Sequence, residues 1–274
     1  MELNGPALRF DDVHFRYRAA SAEAVAGVSL AVMPGETVAL LGPNGAGKTT
    51  ITRLAMALRH PTAGEVRSAG RSTTGLAPEQ LADAVGYLFQ QPESQLSERS
   101  VAAEVSFGPR QLGWSEARIA EATAAVLDRL ELGPHAERHP YDLPVPSRRV
   151  VALAAALVTA PALLLLDEPT AGLDRGTARL VHGVLRSEAR RGAAILAVSH
   201  DPEFVAEVLG RAVVLAGGSI VDDGPVTEVL ARGGGDRLPL PAYAEAVRRI
   251  GLSPAGPSLD DAAAALSAHC RGSG

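Results

Sequence analysis

Gly42-Pro43-Asn44-Gly45-Ala46-Gly47-Lys48-Thr49-Thr50 is the stretch that decides how this chain is read. It fits G-x-x-x-x-G-K-[ST] at every fixed position, follows the apolar run Thr37-Val38-Ala39-Leu40-Leu41, and leads into a helix-like segment from Thr50 to Leu58. Strand, glycine loop and helix in that order make a phosphate cradle. The glycines let successive N–H groups turn toward an anion, and the helix start adds its positive end. A chance glycine-rich turn is the competing reading, and the flanking strand and helix weigh against it. Among 26 lysine and arginine residues, Lys48 is the only lysine. A compact ammonium bridges β- and γ-phosphates as a point charge where a planar guanidinium does not fit, which gives this one lysine its reason. Thr49 supplies a hydroxyl for Mg²⁺. The motif alone specifies a nucleoside triphosphate and nothing narrower.

A matching acidic pair follows at Leu163-Leu164-Leu165-Leu166-Asp167-Glu168. Asp167, at the end of a buried strand, suits a metal held through its water shell, and Glu168 is placed to orient or deprotonate an attacking water. An apolar run ending in an acid is a weak signal alone; the phosphate loop upstream and Pro169-Thr170-Ala171-Gly172-Leu173-Asp174 downstream make it strong.

Working outward, Val13, Phe15 and Tyr17 alternate with His14, Arg16 and Arg18, the period of a half-buried strand. A second strand is expected at Val28 to Val32, closed by Pro34-Gly35. These two make a small antiparallel β layer. Ala84 to Leu88 and Ala194 to Val198 are further strands, whereas Ser100 to Leu157 reads as helical, most clearly at Glu116 to Leu130. Strands alternating with helices indicate an α/β fold whose sheet is mostly parallel, with its site at the strand carboxyl ends. Gly233-Gly234-Gly235 reads as a flexible joint, followed by a Pro-rich segment at Leu238 to Pro241, a short helix at Ala242 to Ile250 and a last helix at Asp260 to Ser267.

With 274 residues, 46% of them hydrophobic, the chain has enough apolar mass for a full α/β core and a small appendage. A net charge of −5 with no basic tract gives a nucleic-acid partner no electrostatic support. Cys270 is the only cysteine, which excludes an internal disulfide and suits a reducing compartment. Met1 to Asp12 lacks a positive start followed by an apolar core, so no signal peptide is expected. The apolar stretch Val150 to Leu166, interrupted by Thr159 and Pro161, is shorter than the ~20 residues of a membrane span. It reads as buried helix, turn and buried strand.

On these residues the chain resembles the ATP-binding-cassette (ABC) ATPases, from roughly Leu8 to Leu230. Beside the phosphate loop and Asp167-Glu168, it has counterparts of their glutamine loop at Gln90, their D-loop at Ala171-Gly172-Leu173-Asp174, and their switch histidine at His200. Tyr17 stands where these proteins stack adenine. The resemblance implies a P-loop ATPase core over residues 6–232, with a helical subdomain at about 95–158, and a small helical extension over 236–274. ATP would lie on Tyr17 and on Gly42, Pro43, Asn44, Gly45, Ala46, Gly47, Lys48, Thr49 and Thr50. Mg²⁺ would be held by Thr49, Gln90 and Asp167, while Glu168, His200, Gln90 and Lys48 would serve catalysis. Each role has a plainer competitor. Tyr17 also reads as a core aromatic, His200 as a turn cap, Gln90 as a loop amide, and Asp174 as the cap of a helix starting near Arg175.

Val85-Gly86-Tyr87-Leu88-Phe89-Gln90-Gln91-Pro92-Glu93-Ser94-Gln95-Leu96, with Glu104-Val105-Ser106-Phe107-Gly108-Pro109, is similar to the glutamine-loop region of energy-coupling-factor importers, the cobalt, nickel and vitamin group. That narrower resemblance implies integral membrane transport subunits as partners, with Gln95 and Leu96 near the contact. It also implies a second ATPase subunit, the same or different, and a cytoplasmic location on the inner face of the cell membrane. One departure stands out. Where the family carries L-S-G-G-Q, this chain has Leu143-Pro144-Val145-Pro146-Ser147. Prolines lack the N–H that would meet a phosphate, leaving Ser147 and the amides of a helix expected to begin near Arg148-Arg149.

Overall fold

The computed structural model describes residues 5–18, 20–92, 95–237, 263–265 and 267–268. Its centre is β7 (Leu163–Asp167), every residue of which is buried. Leu164 and Leu166 enter one hydrophobic cluster, and Leu163 and Leu165 the other. The neighbouring strands β3 (Thr37–Leu41) and β8 (Ala194–Val198) divide in the same way: Ala39, Leu41, Ile195 and Ala197 on one face, Val38, Leu40, Leu196 and Val198 on the other. Strands covered on both faces read as unbroken apolar runs rather than as alternation, which is why these segments looked alike in sequence.

Together with β6 (Val85–Leu88), β9 (Arg211–Ala216) and β10 (Ser219–Pro225) they form a six-stranded sheet in the order β10-β9-β3-β8-β7-β6. All pairings are parallel except that of β9 with β10. The carboxyl ends of β6, β3, β7 and β8 therefore open on the same edge, as α/β ligand sites require.

One face is covered by a four-stranded antiparallel sheet of β1 (Leu8–Phe15), β2 (Val25–Val32), β4 (Ala63–Ser68) and β5 (Arg71–Ser72), in the order β2-β1-β4-β5. The strand expected at Val13 to Tyr17 starts five residues earlier, at Leu8, and ends at Phe15. Its alternation was hidden by a bulge. Asp12 adopts φ 45, the register shifts between Phe10 and Val13, and the buried set therefore changes phase from Leu8 and Phe10 to Val13 and Phe15.

α1 (Lys48–Ala55) follows the phosphate loop and packs on this same side, Ile51, Leu54 and Ala55 sharing a cluster with the antiparallel strands. The other face carries the remaining helices, of which α2 (Val101–Gln111) and α3 (Glu116–Arg129) start on the side-chain caps Ser100 and Ser115. α4 (Val145–Leu157) begins three residues before the expected start near Arg148. Proline is tolerated in a helix's first turn because the N–H it lacks would have no intrahelical partner there, so Pro144 and Pro146 open the helix rather than delay it. The apolar stretch then resolves into the end of α4, a turn and β7. No helix among the described residues is long and apolar enough to cross a membrane.

α5 (Arg175–Arg190) and α6 (Pro202–Val208) start on Asp174 and Asp201, each accepting two backbone N–H bonds. α7 (Val226–Arg237) runs through Gly233-Gly234-Gly235, read from sequence as a joint. Its first turns are anchored by buried Val226, Val229 and Leu230, and the helix continues at a cost of about 1 kcal/mol per glycine relative to alanine. The Pro-rich segment, the helix expected at Ala242 to Ile250, and Cys270 lie outside the described residues; residues 263–265 and 267–268 are helical.

Candidate active site

The phosphate loop is shaped by close backbone approach at two glycines. A Cβ on Gly42, at φ 138, would lie 2.2 Å from the carbonyl oxygen of Leu215; one on Gly47, at φ 106, would lie 2.3 Å from that of Ala24. Only glycine fits either place. Gly47 caps α1 without a side chain, and no acid occupies the helix's first turn, so its N-terminal amides face the loop without a competing anion. Lys48 is 8% exposed, and its Nζ donates to the carbonyl oxygens of Gly42 at 2.7 Å and Pro43 at 3.0 Å. Burial lowers its pKa from the ordinary lysine value, and the charges of Glu168 and Asp167 oppose that shift.

Across the cleft stands Asp167, at the end of β7. Burial, reinforced by the Glu168 charge, raises its carboxyl from 3.8 to about 6, and Oδ2 is buried with no hydrogen-bond partner among the described residues. A buried carboxylate oxygen left unmatched opposite a lysine and a threonine hydroxyl fits a divalent cation arriving with phosphate oxygens of its own. Glu168 adopts φ 55, a left-handed conformation that costs a non-glycine residue about 1–3 kcal/mol and is held where the surroundings over-determine it. Its own N–H donates to the Val198 carbonyl at 2.9 Å, and its Oε2 accepts the backbone N–H of His200 at 3.2 Å. His200 Nε2 lies 3.8 Å from Glu168 Oε1.

A cleft of about 620 Å³ at the sheet's carboxyl edge is lined by Tyr17, Asn44, Gly45, Gly47, Lys48, Thr49, Thr50, Gln90, Asp167, Glu168 and His200. Most of the residues singled out in sequence thus meet in one place, within the volume range of small-molecule sites. Gly42, Pro43 and Ala46 do not line it. The first two supply carbonyls to Lys48, and Ala46 is buried beneath the loop. Tyr17 lies beyond the end of β1. Its ring packs edge-on against Phe15 at 4.8 Å, and its hydroxyl is 3.2 Å from Thr50 Oγ1. The turn after β8 is capped by Asp201, not by His200: Asp201 Oδ1 accepts from Glu203 and Phe204, leaving the imidazole at the cleft. Asp174 does cap α5, through Gly176 and Thr177.

Two features had not been singled out. Arg149, on α4, is 9% exposed and donates to the carbonyls of Glu168 and Gln90. Its signal was an arginine adjoining the buried positions Val150, Val151 and Leu153. Tyr87 pairs with Thr52 Oγ1 at 3.1 Å, and Thr52 in turn donates to the Thr49 carbonyl at 3.1 Å, tying β6 to α1. At the start of α4, Arg148 folds back, its Nε donating to the Leu143 carbonyl at 2.9 Å and an Nη to that of Tyr141 at 2.7 Å. Val145 and Tyr141 are left 52% and 45% exposed. An apolar face with a proline inside the first turn is a poor anion site.

This fold and this cleft define a phosphate-loop nucleoside triphosphatase. The family model described as ABC transporter matches residues 25–171, and the chain belongs to that family, carrying its ATP-binding cassette. A second model, described as an AAA domain, putative AbiEii toxin, Type IV TA system, matches residues 139–206, a stretch without the phosphate loop. A putative ABC transporter ATP-binding protein of Methanosarcina acetivorans is 36% identical over 272 residues, covering 97% of this chain and 44% of that protein. The nickel import ATP-binding protein NikO of Rhodobacter capsulatus is 39% identical over 236 residues, covering 83% of this chain and 92% of NikO. The structure of CbiO1 from Clostridium perfringens, described as part of the ABC transporter complex CbiONQ, superposes with a TM-score of 0.76. It is 26% identical, covering 90% of this chain and 95% of that one. The chain spans less than half the length of the first curated relatives it matches.

Proposed function

We propose that this chain is the ATP-binding and ATP-hydrolysing subunit of an energy-coupling-factor type importer for a metal ion or vitamin. The observation that carries this reading is the meeting of Lys48, Asp167, Glu168 and His200 in one cleft at the carboxyl edge of β3, β7 and β8. The loop amides and the start of α1 receive the phosphates, and Lys48 exchanges its two carbonyl partners for β- and γ-oxygens. Tyr17 offers its ring to adenine, and Thr49, Asp167 and Gln90 would hold Mg²⁺. When bound, that ion would supply charge neutralisation to the phosphates. Glu168, oriented through the His200 amide, prepares a water for in-line attack, and the His200 imidazole stabilises the charge that develops on the γ-phosphoryl group.

A groove of about 410 Å³ between β6, α2 and α4 supports a membrane partner. Phe89, Pro92, Gln95, Leu96 and Phe107 line it, and Phe107 is 44% exposed. An apolar groove of this kind suits a short helix of an integral membrane subunit. The name of NikO, a nickel import ATP-binding protein, supports a metal ion as the class of cargo. The start of α4, with Pro146 in its first turn, favours an asymmetric pair with a second ATPase whose signature is intact. Nucleotide bound here would be closed by that partner, whereas nucleotide on the partner would meet Val145 and Tyr141.

The test is to tag the chain, extract membranes in mild detergent and identify what co-purifies. Integral membrane proteins with a second, signature-bearing ATPase are the expected result. Membrane proteins without a second ATPase would overturn the asymmetric pair, and a protein with no membrane partner would overturn transport.

A further inference from the structure

Arg149 joins two loops that the chemistry uses and that the sheet itself does not join. β6 and β7 are paired through Leu88 and Leu166, but beyond those residues the chain leaves the ladder toward Gln90 on one strand and Glu168 on the other. Arg149 reaches both from α4. One Nη donates to the Glu168 carbonyl at 2.9 Å and the other to the Gln90 carbonyl at 3.3 Å. A guanidinium 9% exposed beside Val150 and Val151 is costly to bury unless its donors are met, so the two carbonyls and the cation fix one another. The planar fork also sets the spacing between the two carbonyls, which a flexible ammonium does not.

The Glu168 end of this contact matters most. With φ 55, Glu168 has its main chain in a conformation that needs external support, and the orientation of its peptide carbonyl and of its side chain are two consequences of the same backbone torsions. The carbonyl points to Arg149, while Oε2 receives the His200 amide at 3.2 Å. We propose that Arg149 is a positioning residue for ATP hydrolysis: its guanidinium, bridging the main-chain carbonyls of Glu168 and Gln90, fixes the angle at which the Glu168 carboxylate enters the cleft. Arg149 makes no contact with nucleotide in this role and acts through Glu168. The inference rests on Glu168 as the group that prepares water.

The test uses the full-length chain in the complex with which it co-purifies, with Glu168→Gln as control and Arg149→Met, Arg149→Lys and Arg149→Gln as variants. Binding of a fluorescent ATP analogue is measured beside steady-state hydrolysis. Arg149→Met is expected to lower kcat by about 10- to 100-fold, the scale of a sub-ångström to 1 Å misplacement, with KM and analogue affinity within about threefold of the parent. Arg149→Lys and Arg149→Gln, which lack the fork but keep a donor, are expected to fall between. Parental kcat in any folded variant overturns the proposal, as does a fall in kcat matched by loss of analogue binding, which would mark general collapse of the site. Should Arg149→Met not fold, the Lys and Gln variants decide by the same criteria. A Glu168→Gln protein that turns over normally overturns the role given to Glu168 and with it the proposal. Loss of turnover in Glu168→Gln beside parental turnover in the Arg149 variants overturns the proposal alone.

Discussion

The backbone N–H of His200 donates to Oε2 of Glu168 at 3.2 Å, so the residue after β8 orients the residue after β7 through its main chain. The imidazole takes no part in that bond, and its Nε2 lies 3.8 Å from Oε1. In the proposed mechanism, orientation and charge stabilisation would thereby be divided between two parts of one residue. His200→Ala keeps the amide and loses the ring. It is expected to lower kcat by about 100-fold while leaving ATP affinity within a few-fold of the parent, measured by hydrolysis and equilibrium binding. Parallel loss of affinity and turnover would place the imidazole in ground-state binding instead.

The Nζ of Lys48 donates to the carbonyls of Gly42 and Pro43 and feels the charges of Glu168 and Asp167. Lys48→Ala is expected to weaken ATP binding by about 100-fold or more, and Lys48→Arg to restore little of it, because the planar fork does not fit the loop. Titration calorimetry with ATP checks both. An arginine variant binding like the parent would contradict the geometric reason for this one lysine.

Asp167 gives a pH signature. Its folded-state pKa of about 6 lies above the ordinary 3.8, so the folded chain binds a proton more tightly than the unfolded chain. The stability this gives is fully present below about pH 4 and is lost as pH rises through 6, above which the buried charge is carried in full. Asp167→Asn removes that cost. In nucleotide-free thermal unfolding it should raise Tm at pH 8, by a margin that shrinks as pH is lowered to 5, while abolishing Mg²⁺-dependent hydrolysis. A Tm change equal at both pH values would contradict the assignment.

What the sequence made legible was whatever rests on local chemistry: the glycine loop, whose backbone approach to Leu215 and Ala24 admits no side chain, and the buried Leu163 to Leu166 run with its terminal acids. What stayed hidden depends on contacts across the fold. Arg149 meets Glu168 and Gln90 at sequence separations of 19 and 59. The bulge at Asp12 shifted the phase of β1, and the anchoring of α7 carried helix through three glycines. α4 starts earlier than Pro144 and Pro146 suggest in sequence, because a proline that would break a helix interior is compatible with its first turn.

The altered segment Pro144-Val145-Pro146-Ser147 predicts dependence on a partner. The purified chain alone should show little ATP-induced dimerisation and little turnover, and Pro144→Ser, Val145→Gly, Pro146→Gly and Ser147→Gln together should raise both. Light scattering with ATP and hydrolysis at several protein concentrations measure this. Brisk turnover of the parent as a homodimer, unchanged by the four substitutions, would contradict it.

Whether Glu168 prepares the water is decided by comparing the parent with Glu168→Gln in the co-purified complex, measuring ATP binding and phosphate release on the same samples. If Glu168 prepares the water in the cleft of Lys48 and Asp167, the variant binds ATP as the parent does and releases phosphate about 100- to 10,000-fold more slowly. Equal rates of phosphate release from the two proteins would contradict the account.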